Sequence, residues 1–249
     1  MTLWQAVGRQ LRHPSGAGGR LAGRLMRLAN ARPNALAVAA LGARPGETVL
    51  ELGCGPGQAV ALLARNLHGG TILGLDQSEA MLAQARAANR AAVAWGRVRL
   101  CRARFEALPL ASASVDRVLA INVAYFWQDA GAVLGEVRRV LRPGGTLLVY
   151  VTDAASMRRW KFADPETHRL YDRAALSTLL ESGGFRPEMT AVFDLPVLPG
   201  VTGLIARARK GPAVAALDAS GLEARRRPAR DCPAPEPAPI LRPVAERDG

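Results

Sequence analysis

A glycine-rich turn between two apolar runs is the feature that most constrains the fold of this chain. Residues 49–52 are apolar apart from Glu51. Three glycines then occupy alternate positions: Gly53, Gly55 and Gly57. Glycine has no Cβ, so it adopts positive φ and lets a ligand lie directly against the backbone. A second apolar run ends in Asp76, nineteen residues after the last glycine, and the pattern predicts two buried strands joined through a tight turn and a helix.

The turn and the acid that follows it are typical of a nucleoside-binding crevice. In such a crevice the backbone approaches the ligand at the turn, and a carboxylate about 20 residues further on binds the ribose hydroxyls. A dinucleotide site needs G-x-G-x-x-G, but the third position counted from Gly53 is Gln58, and the motif G-x-x-x-x-G-K-[ST] is absent. Glycine triplets also occur in ordinary tight turns, so the rest of the chain has to decide.

Alternating strand and helix patterns predict an α/β fold with a mostly parallel sheet, right-handed crossovers and helices on both faces. The predicted strands are 48–52, 71–76, 97–101, 115–123, 146–151, 189–195 and 203–208. The predicted helices are 20–31, 34–41, 58–66, 79–92, 131–141 and 173–181. Only a Pro-Gly turn separates the last two strands, so we expect them to form an antiparallel hairpin at the edge of the sheet.

The charge distribution divides the chain into three parts. The formal net charge is +12, and residues 1–46 contain seven arginines and no acid, which predicts a basic helical extension before an α/β domain at 47–210. Residues 211–249 are rich in proline, alanine and arginine, and we expect a disordered tail there. The basic excess fits an RNA-binding face, an anionic substrate or a transit peptide, and a solvated basic surface is the preferred interpretation.

Cysteine and histidine usage argues against a disulfide framework and against a metal site. The cysteines are Cys54, Cys101 and Cys232, and the histidines are His13, His68 and His168. The odd cysteine count without C-x-x-C favours a reducing compartment, and the histidines have no ligand spacing. No apolar run reaches the ~18 residues of a membrane span. We therefore expect a cytoplasmic protein without a metal.

Four segments carry a family resemblance when they are read in order. They are Val-Leu-Glu-Leu-Gly-Cys-Gly-Pro-Gly at 49–57, Asp-Gln-Ser-Glu-Ala-Met-Leu at 76–82, Ala-Leu-Pro at 107–109 before Asp116, and Arg-Val-Leu-Arg-Pro-Gly-Gly at 139–145. Over about residues 20–209 the chain resembles the class I S-adenosylmethionine-dependent methyltransferases of the small bacterial single-domain type. The resemblance implies a Rossmann-like sheet of seven strands, with the last strand antiparallel between the fifth and the sixth. It also implies S-adenosylmethionine as cofactor.

The resemblance assigns a set of cofactor-binding residues. They are Glu51, Gly53, Cys54, Gly55, Gly57, Asp76, Gln77, Met81, Arg104, Phe105, Glu106 and Asn122. In this family the glycines would pass beneath the methionine and ribose, Glu51 would orient the loop and the amino group, and Asp76 would bind the ribose hydroxyls. Met81 also fits an ordinary apolar helix position, and Asn122 also fits a simple strand terminus.

Arg104 departs from the family pattern. Related enzymes often carry an acid at this position, where it accepts a hydrogen bond from the adenine amino group. An arginine cannot accept a hydrogen bond. Arg104 would therefore stack on adenine, or turn away and leave the contact to the backbone of Phe105 and to Glu106.

Methyl transfer from a sulfonium requires mainly that the acceptor be held in line in a dry pocket. The predicted acceptor residues follow the fourth strand and lie in a possible lid at 156–171: Tyr125, Phe126, Trp127, Arg158 and Trp160. The first three would equally form an apolar plug, and the basic lid would equally be a solvated loop. His168 and Tyr171 are the candidates for a general base, and Met26 and Asn30 are candidates to close over the cofactor.

The predicted activity is methyl transfer to a small-molecule acceptor. One alternative is a nucleic-acid methyltransferase, suggested by the charge and by Asn122-Val-Ala-Tyr125, which shares its ends with the Asn-Pro-Pro-Tyr of adenine-N6 enzymes but lacks both prolines. Nucleic acid is not the expected partner. The other alternative is a cofactor-binding module without catalysis, for which Arg104 is the only indication.

Overall fold

One sheet organises the part of the chain that the computed structural model describes, residues 30–160 and 168–212. Its strands are β1 (Thr48–Leu52), β2 (Thr71–Asp76), β3 (Val98–Arg102), β4 (Val115–Ile121), β5 (Leu141–Thr152), β6 (Thr190–Leu198) and β7 (Val201–Arg209). Their order in the sheet is β3-β2-β1-β4-β5-β7-β6. The strands β1 to β5 pair in parallel, whereas β7 is antiparallel to both β5 and β6. The predicted fold class and the edge hairpin are confirmed.

Helices cover both faces of the sheet. They are α1 (Ala31–Leu41), α2 (Gln58–Asn66), α3 (Glu79–Ala88), α4 (Arg90–Ala94), α5 (Ala130–Val140), α6 (Ala154–Met157) and α7 (Arg173–Ser182). One core contains Leu134 of α5 and Leu180 of α7, and the other contains Leu41 of α1 and Leu63 of α2. Successive strand residues alternate between the two cores, which is why the central strands read as continuous apolar runs.

The α1 helix belongs to the second core. Ala37 and Leu41 are fully buried there beside the strands. Residues 31–41 thus share a core with the sheet of the domain that was predicted at 47–210. Residues 1–29 of the predicted extension, most of the predicted helix at 20–31, and residues 213–249 of the predicted tail lie outside the described residues.

The predicted helix at 79–92 is wrong in one respect, because it divides at Asn89. The side chain of Asn89 is buried, and its Nδ2 donates hydrogen bonds to the Gly57 carbonyl at 3.0 Å and the Ala85 carbonyl at 2.9 Å. These bonds fasten the end of α3 to the glycine turn. A shorter helix, α4, continues after the break.

The bounds of β3 to β7 also differ from the prediction, and two of the differences have a clear structural cause. The β5 strand begins at Leu141 rather than at residue 146, because Leu141 pairs with Val115 before a bulge restores the register. The β4 strand ends at Ile121 rather than at residue 123, because Asn122 adopts a positive φ of 52°. Among the described residues, no helix is long and apolar enough to cross a membrane.

Candidate functional site

A cavity of about 340 Å³ opens at the carboxyl ends of β1, β2 and β4. It brings together eleven of the twelve predicted cofactor residues: Glu51, Gly53, Cys54, Gly55, Asp76, Gln77, Met81, Arg104, Phe105, Glu106 and Asn122. Phe126 and Trp127 from the predicted acceptor set also line it. Ligands bind at this end of an open α/β sheet, beyond the carboxyl ends of the strands.

The three glycines of the turn have different physical roles. All three have positive φ, between 52° and 80°. A Cβ on Gly53 would lie 2.6 Å from Val123 Cγ2, whereas a Cβ on Gly55 would meet nothing within 4 Å. Gly57 does not line the cavity, because it packs against α3, where a Cβ would lie 2.6 Å from Asn89 Nδ2. Gly55 is thus the glycine that leaves the backbone open beside the cavity.

Asp76 ties the glycine turn to the start of α3. Its Oδ2 accepts a hydrogen bond from the Gly55 amide at 2.9 Å, and its Oδ1 accepts one from the Ser78 amide at 2.8 Å. Each carboxylate oxygen has two lone pairs and can accept more than one hydrogen bond. The carboxylate is therefore held in one orientation at the cavity wall, where it is able to accept hydrogen bonds from a pair of hydroxyls.

Glu51 is a buried acid with an unsatisfied oxygen. Its side chain is 3% exposed, and its Oε2 has no hydrogen-bond partner among the described residues. Burial raises the pKa of Glu51 well above its usual range, and the negative charge of Asp76 adds to the rise. An unsatisfied buried carboxyl at a cavity wall suits a cationic ligand, which would supply both the missing hydrogen bond and the opposite charge.

Residues 104–106 form the wall across from the glycine turn. The Arg104 side chain is 81% exposed, and its Nε lies 3.6 Å from Glu106 Oε2, which is too long for a hydrogen bond. Phe105 is 6% exposed. Glu106 Oε2 is buried and has no hydrogen-bond partner within the described ranges. Arg104 thus lines the cavity with an exposed side chain, and Glu106 beside it offers a buried acceptor oxygen.

Asn122 lies at the centre of a side-chain network. Its Nδ2 donates to Asn30 Oδ1 at 2.9 Å, and its Oδ1 accepts from the Tyr125 hydroxyl at 2.9 Å. The same hydroxyl accepts a hydrogen bond from the Thr152 amide. Tyr125 was predicted to contact the methyl acceptor, and the structure does not support that role. Tyr125 is buried and does not line the cavity, and its hydroxyl binds Asn122 instead.

Three polar cavity residues were missed by sequence reasoning: Asn34, Gln58 and Gln128. Asn34 Nδ2 on α1 donates to Gln58 Oε1 on α2 at 3.0 Å, and both residues line the cavity. Asn30, expected only as a residue that closes over the cofactor, lines the cavity one helical turn before Asn34. The four-residue spacing places both asparagines on one face of the helix. That spacing was the available signal.

The other residues that were predicted to contact the methyl acceptor form two groups. Phe126 and Trp127 line the cavity, and Trp127 is 3% exposed with no hydrogen-bond partner for its Nε1 among the described residues. Arg158 and Trp160 do not line it. Arg158 follows α6 on the surface, and Trp160 packs against the core of α5 and α7.

The two candidate bases lie in the core beside the cavity. His168 is 3% exposed, and its ring centroid lies 4.9 Å from that of Phe126. The Tyr171 hydroxyl donates to the Ala124 carbonyl at 3.2 Å, and burial raises the pKa of Tyr171. Neither side chain lines the cavity, because both pack against the aromatic residues that follow β4. Within residues 30–160 and 168–212 no cluster of three or more metal-binding side chains occurs.

Comparison with known proteins gives one family and several relatives. A family model described as a methyltransferase domain matches residues 50–149. The chain is 35% identical to a probable S-adenosylmethionine-dependent methyltransferase of Mycolicibacterium smegmatis, over 58% of this chain and 54% of that protein. It is 37% identical to trans-aconitate 2-methyltransferase of Deinococcus radiodurans, over 62% of this chain and 54% of that protein. The chain thus spans about half the length of these curated relatives.

Solved structures share the fold at low sequence identity. A Haloferax volcanii putative methyltransferase complex with the Trm112 activator matches with a TM-score of 0.67 and 20% identity, over 76% of this chain and 92% of that one. Phosphoethanolamine N-methyltransferase 2 of Haemonchus contortus, solved with phosphomonomethylethanolamine and S-adenosylhomocysteine, matches with a TM-score of 0.66 and 14% identity, over 85% of this chain and 61% of that one.

Proposed function

We propose that this chain, as a class I S-adenosylmethionine-dependent methyltransferase with S-adenosylmethionine as cofactor, transfers the sulfonium methyl group to a small-molecule acceptor by in-line displacement. The observation that carries the proposal is the cavity itself. One space at the carboxyl ends of the strands joins the glycine turn, the fixed carboxylate of Asp76 and the unsatisfied carboxyl of Glu51. These three features suit the backbone approach, the ribose and the positive charge of that cofactor.

The residues of this cavity would hold the cofactor from three sides. Asp76 would accept hydrogen bonds from the ribose hydroxyls, and Glu106 would accept one from the adenine amino group. Glu51 would face the positively charged methionine end. When bound, the cofactor supplies a methyl group on a good leaving group, so the chain mainly has to orient the acceptor and exclude water. Phe126 and Trp127 form the apolar wall suited to that task.

The titratable side chains that line the cavity favour an acceptor that is ionised before it binds. They are Glu51, Cys54, Asp76, Arg104 and Glu106. The three acids among them are assigned to the cofactor, and the two candidate bases, His168 and Tyr171, lie outside the cavity. A carboxylate acceptor needs no base. Two relatives fit that chemistry by name, trans-aconitate 2-methyltransferase and malonyl-[acyl-carrier protein] O-methyltransferase.

The nucleic-acid alternative gains no support from the site. Enzymes that modify a base in a polynucleotide commonly stack the extruded base on aromatic side chains. Tyr125, the residue that suggested this alternative, is buried with its hydroxyl bonded to Asn122.

Binding of the cofactor is the first test. Calorimetry of the full chain with S-adenosylmethionine should show binding, and Asp76→Ala should weaken it at least about tenfold, since a charged hydrogen-bond acceptor is worth ~1.5 kcal/mol or more. Asp172→Ala is the matched control, because Asp172 caps α7 outside the cavity through the Ala175 amide. Wild-type protein that binds no S-adenosylmethionine would refute the proposal.

The acceptor class is the second part of the test. Methyl transfer from labelled cofactor should be screened against small carboxylates, phenols, amines and quinols. Transfer to carboxylates is the expected result. Cofactor binding with transfer to none of these classes would favour the non-catalytic alternative.

A further inference from the structure

The segment between β3 and β4, residues 103–114, connects the cavity to the opposite end of the sheet. It leaves the carboxyl end of β3, forms the cavity wall at 104–106, and returns to the amino end of β4. Along most of this path it lacks regular secondary structure. Its position therefore depends on contacts from neighbouring elements.

A pair of charged residues on α5 holds this segment through its backbone. Glu136 Oε2 accepts a hydrogen bond from the Leu108 amide at 2.7 Å. Arg139 donates from Nη2 to the Leu108 carbonyl at 3.0 Å and from Nη1 to the Leu110 carbonyl at 2.7 Å. The pair thus binds three backbone groups, beginning two residues after Glu106.

The two side chains also bind each other in a bidentate arrangement. Arg139 Nε lies 2.7 Å from Glu136 Oε1, and Arg139 Nη2 lies 2.8 Å from Glu136 Oε2. The hydrogen bond from Arg139 lowers the pKa of Glu136, so the acid stays charged at neutral pH. Charge-assisted bidentate pairs are both stronger and more directional than neutral hydrogen bonds. Such a pair, whose members are 34% and 21% exposed, fixes the geometry of the segment that it grips.

We propose that Glu136 and Arg139 are positioning residues for the nucleoside end of the cofactor. By fixing the backbone at 108–110 they set the wall at 104–106, against which adenine would lie. Neither residue lines the cavity, so they act only through that segment. The inference rests on the proposed function, since it places adenine at this wall.

Arg139→Lys is the informative variant. Lysine keeps the charge, but one ammonium group cannot reproduce the guanidinium's planar, bidentate geometry. We expect S-adenosylmethionine affinity to fall about tenfold, the equivalent of one hydrogen bond to a charged group. Affinity for 5′-methylthioadenosine, which carries adenine and ribose without the amino acid, should fall by the same factor. The rate at saturating cofactor should change little.

The chain offers a closely matched control at the amino end of β4, away from the cavity. Arg142 forms an ion pair with Asp116 at 2.5 Å, with side chains 46% and 23% exposed. Asp116 also accepts a hydrogen bond from a backbone amide, that of Thr48, at 2.8 Å. Neither member of this pair lines the cavity. Arg142→Lys therefore reports what a similar lesion does to stability alone, and its cofactor affinity should equal that of the wild type.

The outcomes are distinct. Weaker binding of both ligands in Arg139→Lys, but not in Arg142→Lys, supports the inference, and Glu136→Gln should reproduce it if Arg139→Lys folds poorly. Equal affinities in all variants, or equal losses in both arginine variants, would overturn the inference while the proposed function stands. Failure of the wild-type protein to bind S-adenosylmethionine would overturn the proposed function, and the inference with it.

Discussion

At the scale of single residues, Glu51 shows the cost of keeping an acid inside the domain. The carboxyl group lies at the end of a buried strand, and burial disfavours its charged form. The second negative charge, on Asp76, acts in the same direction. A residue that lowers the stability of the empty protein and suits a cationic ligand is what a binding site, rather than a folding core, requires.

The pH dependence of Glu51→Gln tests this account. Because the folded protein holds the Glu51 proton more tightly than the unfolded chain does, the wild type loses stability as the pH rises from the usual 4.5 toward the raised pKa. Glutamine does not titrate. The Tm of Glu51→Gln should therefore gain on that of the wild type between about pH 5 and about pH 8, by about 2 °C or more.

Cofactor binding by the same variant should change in the opposite direction to its stability. Glu51→Gln should bind S-adenosylmethionine more weakly than the wild type, since the amide carries no charge. Thermal melts across pH and calorimetry at one pH provide the two measurements. A Tm difference that stays constant with pH would show that the Glu51 carboxyl titrates normally in the folded protein.

At the scale of elements, the glycine turn and α3 form one unit. Gly57 lies against Ala85 and Asn89, whereas Gly55 has open space where a side chain would begin. The same residue type thus serves helix packing at one position and access to the cavity at the other. Two alanine substitutions separate these roles.

Gly57→Ala and Gly55→Ala should have opposite effects on stability and on cofactor binding. Both force alanine to a positive φ, which costs ~1–2 kcal/mol. Only Gly57→Ala adds a clash, with Ala85 Cα at 2.9 Å as well as with Asn89, so it should be the more destabilising in urea denaturation. Gly55→Ala should be the milder change for folding but the more harmful for cofactor binding. Equal losses of stability would contradict the assigned packing role.

The elements also show where sequence reasoning succeeds. The bounds of β1 and α2 were predicted as observed, because an apolar strand, a glycine turn and an amphipathic helix are local patterns. The break at Asn89 and the early start of β5 were not predicted, because each depends on a partner distant in sequence. Most of the cofactor residues predicted from motifs do line the cavity. Tyr125, His168 and Tyr171 instead pack in the core. Whether a side chain is buried depends on distant parts of the chain, so the local sequence did not reveal it.

At the scale of the whole molecule, the described chain forms a sheet with α1 built into one of its cores. We infer that the functional unit runs from this helix to the end of β7, which extends the predicted domain at 47–210 toward the amino terminus. The side chains of Asn30 and Asn34 join the helix to the cavity as well as to the core. The described residues after β7, 210–212, do not line that cavity.

Two truncations test this division. A chain ending at Gly211 should bind S-adenosylmethionine as tightly as the full chain. A chain beginning at Glu47 should be strongly destabilised, because it removes the buried Ala37 and Leu41 from the core and leaves a cavity. Circular dichroism melts and calorimetry make the comparison. A stable, cofactor-binding chain that begins at Glu47 would show that the unit starts after α1.

The network at Asn122 carries a consequence for the evolution of this family. Asn30, Asn122 and Tyr125 satisfy one another across 95 residues of chain, and replacing any one leaves a polar partner unsatisfied in a partly buried place. A single change is therefore costly, while a concerted change leaves only the Thr152 amide to find a new partner. Among relatives that retain this α1 arrangement, the three positions should be inherited or replaced together, and a lineage that has lost the tyrosine hydroxyl should also have changed its asparagines.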